Sequence, residues 1–161
     1  MHIRTAVMAD LPAVTAVEAA CFPAAEAATE ANFAKRLAVY PNHFWLMEDD
    51  NGTLVSFVNG LVTDVYDLTD EMFDDASYHN ENGGWQMIFG VVTHPDYQHR
   101  GCAEKLMRYV VEQARQQGRK GLVLTCKEHL LHFYGKVGFV DEGISGSTHG
   151  GAVWHKMRLT F

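Results

Sequence analysis

Cysteine, positive charge and long apolar runs are scarce in this chain of 161 residues, and each scarcity removes a class of protein. Cys21, Cys102 and Cys126 are odd in number, far apart and in no Cys-x-x-Cys pair. That pattern argues against a disulfide scaffold or a cysteine zinc site and for free thiols in a reducing, cytoplasmic setting. Lysine and arginine number 13 against 20 acidic residues, and the net charge of −7 repels nucleic-acid phosphate while tolerating a cationic substrate such as an amine. No stretch approaches membrane-spanning length, and the start, Met-His-Ile-Arg-Thr, lacks the apolar core of a signal peptide. No Gly-x-Gly-x-x-Gly follows a strand and no Gly-Lys-Ser/Thr loop is present, which argues against dinucleotide and nucleotide enzymes. Repeats, linkers and low-complexity segments are missing too, so one domain over residues 1–161 is expected, long enough to bury a full core.

What is present alternates between the two periods of regular structure. A short strand is expected over His2–Val7, then a helix capped by Asp10 with Leu11, Val14, Val17 and Ala20 at helical spacing. A second helix begins at Thr29, buries Phe33 and Leu37, and ends before Pro41. His43–Glu48 and Thr53–Thr63 flank Asn51-Gly52, a hairpin turn signal. Asp64–Gly84 is acidic and polar, with a short helix around Asp70–Phe73; a flap over the substrate and a solvated loop both suit it. Trp85–Val92 reads as one continuous strand, followed by a helix from Gly101 with Leu106, Met107, Val110, Val111 and Ala114 on one face. Leu122–Leu124, a helix over about Glu128–Val137, and strands at Phe139–Ser145 and Ala152–Leu159 complete an α/β (α+β) chain. Strand, long helix, strand implies a parallel crossover pair in a mixed sheet flanked by helices.

The chemistry centres on Val91–Glu104. An apolar strand stops at His94-Pro95, and Gln98-His99-Arg100-Gly101-Cys102-Ala103 then opens a helix. Free N–H groups at such a start favour phosphate oxygens, and Arg100 adds a cation beside them. The stretch resembles the acetyl-CoA signature of the GNAT N-acetyltransferase superfamily, Gln/Arg-x-x-Gly-x-Gly/Ala, met by Gln98, Gly101 and Ala103. Phe133-Tyr134-Gly135-Lys136-Val137-Gly138-Phe139 is similar to the family's second motif, Phe-Tyr-x-x-x-Gly-Phe. Phe22-Pro23-Ala24-Ala25-Glu26-Ala27 resembles a segment of the serotonin (arylalkylamine) N-acetyltransferase branch.

The resemblance implies the GNAT fold, with acetyl-CoA lying between two splayed parallel strands. Its pantetheine arm would pair with the main chain of Val91, Val92 and Thr93, and its pyrophosphate would lie over His99, Arg100, Gly101, Cys102, Ala103 and Glu104. The family's general acid maps onto Tyr134, whose phenol, of pKa about 10, can protonate a thiolate. A core aromatic whose hydroxyl caps a carbonyl is the structural alternative. The serotonin branch carries two histidines on the central strand, where this chain has Met87 and Phe89. Glu26 is therefore the first candidate base, His149 the next, and a water chain ending on backbone carbonyls the alternative to both, with Phe22, Pro23, Met87, Phe89 and His149 expected on the acceptor side. His129 and His132 share a helical spacing but lack a third ligand, so no metal is expected.

The activity implied is transfer of acetyl from acetyl-CoA to a primary amine of a small molecule by direct attack in a ternary complex, with a homodimer admitted among its assemblies. Acetylation of a protein lysine or N-terminal amine, and a non-catalytic acyl-CoA sensor, are the alternatives.

Overall fold

The computed structural model describes residues 1–161 and contains nine strands and five α-helices. In chain order they are β1 (His2–Thr5), α1 (Leu11–Cys21), α2 (Glu30–Val39), β2 (Phe44–Glu48), β3 (Leu54–Asn59), β4 (Val62–Thr63) and α3 (Glu71–Asp74). β5 (Trp85–Ile88), β6 (Gly90–Thr93), α4 (Cys102–Gln116), β7 (Gly121–Cys126), α5 (Leu131–Val137), β8 (Val140–Ile144) and β9 (His155–Thr160) follow.

The expected central strand is two strands. It breaks at Phe89, and its halves enter different sheets: β5 pairs in parallel with β7, whereas β6 pairs antiparallel with β3. One sheet runs β1-β2-β3-β6 and the other β4-β5-β7-β9-β8. Past the Ile88–Leu124 pair, β6 and β7 share no ladder, so the sheets part and one edge of Val91–Thr93 lacks a strand partner. Unpaired main-chain groups there are the physical requirement for strand addition by a ligand.

A second departure lies at Gly60 and Leu61, where the expected Thr53–Thr63 strand divides into β3 and β4. A Cβ on Gly60 would lie 1.7 Å from the Met87 carbonyl oxygen, so only glycine lets the chain cross β5 this closely.

The inner strands of the first sheet, β2 and β3, are buried on both faces, and their alternation, offset by a bulge at Met47–Glu48, sorts side chains between two cores. Trp45, Met47, Val55 and Val58 meet Leu106, Met107 and Val110 of α4. Phe44, Leu46 and Phe57 turn the other way, onto Val14 and Val17 of α1 and Phe33 and Leu37 of α2. The segment between β4 and β5 is acidic outside but anchored by Leu68 and Met72, which pack with Tyr40, Leu61, Trp85 and Met87.

Of the two side-chain caps expected, at Asp10 and Thr29, one forms. Thr29 Oγ1 accepts the Asn32 N–H and caps α2 as expected. Asp10 does not cap α1 with its side chain; it accepts from the Val7 N–H at 2.8 Å and from both terminal nitrogens of Arg4 at 2.7 and 2.9 Å. That pairing holds the Asp10 carboxyl below its ordinary pKa and ties β1 to the turn before α1.

Candidate active site

Two cavities open where the sheets part. The outer one is a groove of 610 Å³ lined by Val91–Thr93, by the loop Tyr97–His99, by Gly101–Glu104 and by Phe133 and Lys136. The inner one is a chamber of 260 Å³ closed by Glu18, the loop around Glu26, α2, Phe73, Phe89, His149 and Trp154. Phe22, Val91, Leu130 and Tyr134 line both, so the cavities meet at these four side chains.

The groove joins a sharply turned, open helix start to a cluster of paired charges. His99 (φ 62°) and Gly101 (φ 78°) both take left-handed backbone, turning the chain sharply into α4. A Cβ on Gly101 would meet nothing within 4 Å, so the glycine there serves the backbone angle and leaves the helix start open. Glu104 places a carboxylate beside that start, but Lys136 Nζ at 3.1 Å and Arg108 Nε at 3.2 Å neutralise it and hold its pKa down. Two cations against one anion leave the local balance positive, as a pyrophosphate needs. Tyr97 donates to Asp49 Oδ2 at 2.8 Å, fastening the motif loop to the β2–β3 turn. Gln98 Nε2 and Cys21 Sγ both donate to the Thr93 carbonyl, each at 3.2 Å. These features fit an acyl-CoA: open N–H groups for the phosphates, and an unpaired strand edge for the arm.

Tyr134 stands at the junction. It is 7 % exposed, and burial, seconded by nearby Cys126, raises its pKa well above that of an ordinary phenol, with no hydrogen bond contributing. The same dry surroundings push the Cys126 thiol up to about 11. An anion forming here is penalised, so a proton is held on oxygen or sulfur.

The remaining expected residues divide. Phe22, Glu26, Phe89 and His149 line the chamber, joined by Glu18, Arg36, Asn59 and Asp74, which sequence reasoning did not select. Met87, expected on the acceptor side, is fully buried in the core beneath the acidic segment and lines neither cavity. Pro23 is exposed and lines neither cavity; its carbonyl accepts the N–H groups of Glu26 and Ala27 and so shapes the loop. Arg100 is also outside the groove lining, its guanidinium 5.5 Å above the Tyr97 ring. Glu26 is paired with Lys127, Oε1 to Nζ 2.6 Å, in an alignment that is an ion pair and not a hydrogen bond. His149 Nε2 lies 3.0 Å from the Glu26 carbonyl. A carbonyl only accepts, so Nε2 carries a hydrogen, and the lone pair of the neutral tautomer is on Nδ1. The ring stacks on Phe73, centroids 5.4 Å apart, and Ser147 Oγ donates to Asp70 at 2.5 Å, so three loops are knitted into a roof.

His129 and His132, exposed on the α5 side, gather no third ligand. The histidine–carboxylate cluster that does form, His43, His79 and Glu81, lies elsewhere. His79 Nδ1 accepts the Val62 N–H, which leaves its hydrogen on Nε2, and His43 Nδ1 donates to Gln86 Oε1. With Arg119 also on Glu81, the donors are committed to clamping the acidic segment against β5.

Comparison with known proteins agrees with this geometry. A curated relative from Porphyra purpurea, described as uncharacterized N-acetyltransferase ycf52, is 32% identical over 69 residues, 42% of this chain and 40% of that protein. The chain thus aligns with less than half the length of that curated relative. Among solved structures, the GphF GNAT-like decarboxylase in complex with isobutyryl-CoA superposes with a TM-score of 0.86 at 18% identity over 99% of both chains. The ribosomal-protein-S18-alanine N-acetyltransferase from Escherichia coli gives 0.73 at 19% identity, covering 99% of this chain and 92% of that one. These likenesses establish a shared fold. The sequence profile described as Acetyltransferase (GNAT) family matches residues 11–139, and the chain belongs to that family.

Proposed function

We propose that the chain transfers the acetyl group of acetyl-CoA to a primary amine of a small molecule, by direct attack in a ternary complex. The observation that carries this reading is the meeting of a long groove along Val91–Thr93 and a smaller chamber at Tyr134. Acetyl-CoA supplies an activated carbonyl and a thiolate leaving group; the rest is the work of this chain. Val91–Thr93 hold the arm, and the start of α4 holds the phosphates. Tyr134 keeps its proton until sulfur needs it. His149, with a lone pair on Nδ1, takes the proton of the attacking amine. Glu26, already neutralised by Lys127, positions His149 through its carbonyl. A roofed chamber of 260 Å³ supports a small acceptor over the lysine or N-terminus of a folded protein. Phe22 in the wall supports kinship with the serotonin branch, whereas Met87 and Phe89 in place of its histidines separate the two.

A second reading is favoured by the GNAT-like decarboxylase, whose fold corresponds over 99% of both chains. Here the chain would break the bond between the acyl α-carbon and a carboxylate of a carboxylated acyl-CoA, release CO₂ and protonate the carbanion. One experiment separates the readings: thiol release from acetyl-CoA across amines, polyamines, aminoglycosides and peptides, beside CO₂ release from malonyl-CoA. Thiol release with a small amine is expected. CO₂ release without it would replace the first reading by the second, and binding without either would leave an acyl-CoA sensor.

A further inference from the structure

Arg36 is a cation buried without an anion in contact. It sits on α2 beside Phe33 and Leu37, so the apolar face that docks the helix carries it inward to 3 % exposure. Its guanidinium lies between the Phe33 and Phe89 rings, 5.3 and 4.9 Å from their centroids. Nη1 donates to Asn59 Oδ1 at 3.0 Å and Nη2 to the Phe73 carbonyl at 2.9 Å, both uncharged acceptors. Nε has no partner at all. A guanidinium offers five N–H donors, so three are unused.

Burying a charge this deeply is expensive unless an opposite charge meets it. The acids nearby act only at a distance. Glu18 spends Oε2 on the Ala28 N–H at 2.8 Å, and Asp74 takes the Asn32 amide at 2.7 Å. Arg36 nonetheless lines the inner chamber, as do Asn59, Glu18 and Asp74. Phe33 and Phe89 flank the guanidinium, and the planar fork matches a carboxylate.

We infer that the chamber is a carboxylate-binding site in which Arg36 completes an ion pair with the substrate. This rests on the reading of the chamber as the substrate side of the acyl-CoA groove. The carboxylate has two possible carriers: an amino-acid acceptor, whose ammonium group then meets Glu18 or Asp74, or the acyl group of the CoA thioester itself. Asn59 and the Phe73 carbonyl fix the plane of the fork, and Phe89 sets its depth.

The test is equilibrium binding to the full chain by calorimetry, in two arms. In the first, with CoA saturating the groove, glycine, alanine and phenylalanine are compared with methylamine, ethylamine and phenethylamine. In the second, malonyl-CoA and succinyl-CoA are compared with acetyl-CoA and propionyl-CoA. In one arm the carboxylated ligands should bind at least about 10-fold tighter, the scale of a charge-assisted contact. Arg36→Gln should erase that preference. Where Arg36→Gln does not fold, Arg36→Lys, which keeps the charge and loses the fork, should reduce it several-fold. No preference in either arm for the unaltered protein, or a preference that survives Arg36→Gln, overturns the assignment. Because the readout is binding, it stands apart from turnover: acetyl transfer without carboxylate preference removes only the Arg36 site, and carboxylate preference without acetyl transfer removes only the transfer reading.

Discussion

Glu26 Oε1 and Lys127 Nζ lie 2.6 Å apart beside the chamber, so the carboxylate that the sequence offers as a base arrives already paired. His149 is bonded through Nε2 to the Glu26 carbonyl, and in the proposed function its Nδ1 takes the substrate proton. His149→Gln should therefore lower kcat/KM by about 10²-fold, the ordinary scale of one acid–base group. Glu26→Gln should lower it by about threefold or less while leaving acetyl-CoA affinity unchanged. Steady-state kinetics on the two variants decide the matter, and the reverse order of losses returns the role to Glu26.

Tyr134→Phe removes a hydroxyl and keeps the ring. With the phenol as proton donor, kcat should fall about 10- to 10³-fold while the acetyl-CoA dissociation constant barely moves, because the proton is needed only as sulfur departs. A destabilised variant with full turnover would take Tyr134 out of the mechanism.

The same residue sets an alkaline signature. Its folded pKa is raised above the unfolded value of about 10, so its contribution to stability is complete below pH 10 and is lost as pH rises through the folded value. The melting temperature of the unaltered protein should therefore fall relative to that of Tyr134→Phe above about pH 10. Parallel melting curves across pH 8 to about 11 would show it, and a constant difference would contradict burial of the phenol.

Gly101→Glu brings a carboxylate to the start of α4, where the proposed function puts the phosphates. Acetyl-CoA affinity should drop at least about 10-fold, with added strain of roughly 1–2 kcal/mol because a side chain must take φ 78°. Gly101→Ala carries the strain without the charge and separates the two effects. Equal affinities for Gly101→Ala and Gly101→Glu would argue that no anion lies there.

Gly60→Ala tests the crossing of the chain over β5. The added Cβ meets a main-chain oxygen at 1.7 Å, so β3–β4 or β5 must shift, at a cost of about 3 kcal/mol. Gly52→Ala, at φ 79° but in open space, should cost only about 1 kcal/mol. Denaturant unfolding of both variants gives the comparison.

Periodicity and local chemistry sufficed for much of this protein. The apolar stripe of Leu106, Met107, Val110, Val111 and Ala114 defined α4, Thr29 defined the start of α2, and Gln98–Ala103 marked the groove, because a helix repeat, a cap and a tight turn are made by neighbours in sequence. Tertiary structure decided what depends on distant partners. The break at Phe89 is hinted at in sequence only by Gly90, since it arises from which strand pairs with which: β7 claims Trp85–Ile88 and β3 claims Gly90–Thr93. The fate of charge was equally hidden. Sequence alone does not show that Phe33, Phe89 and Asn59 enclose Arg36, or that Lys127 reaches Glu26. A side chain's charge is written in the sequence, but its desolvation and its partner are set only when remote segments close around it.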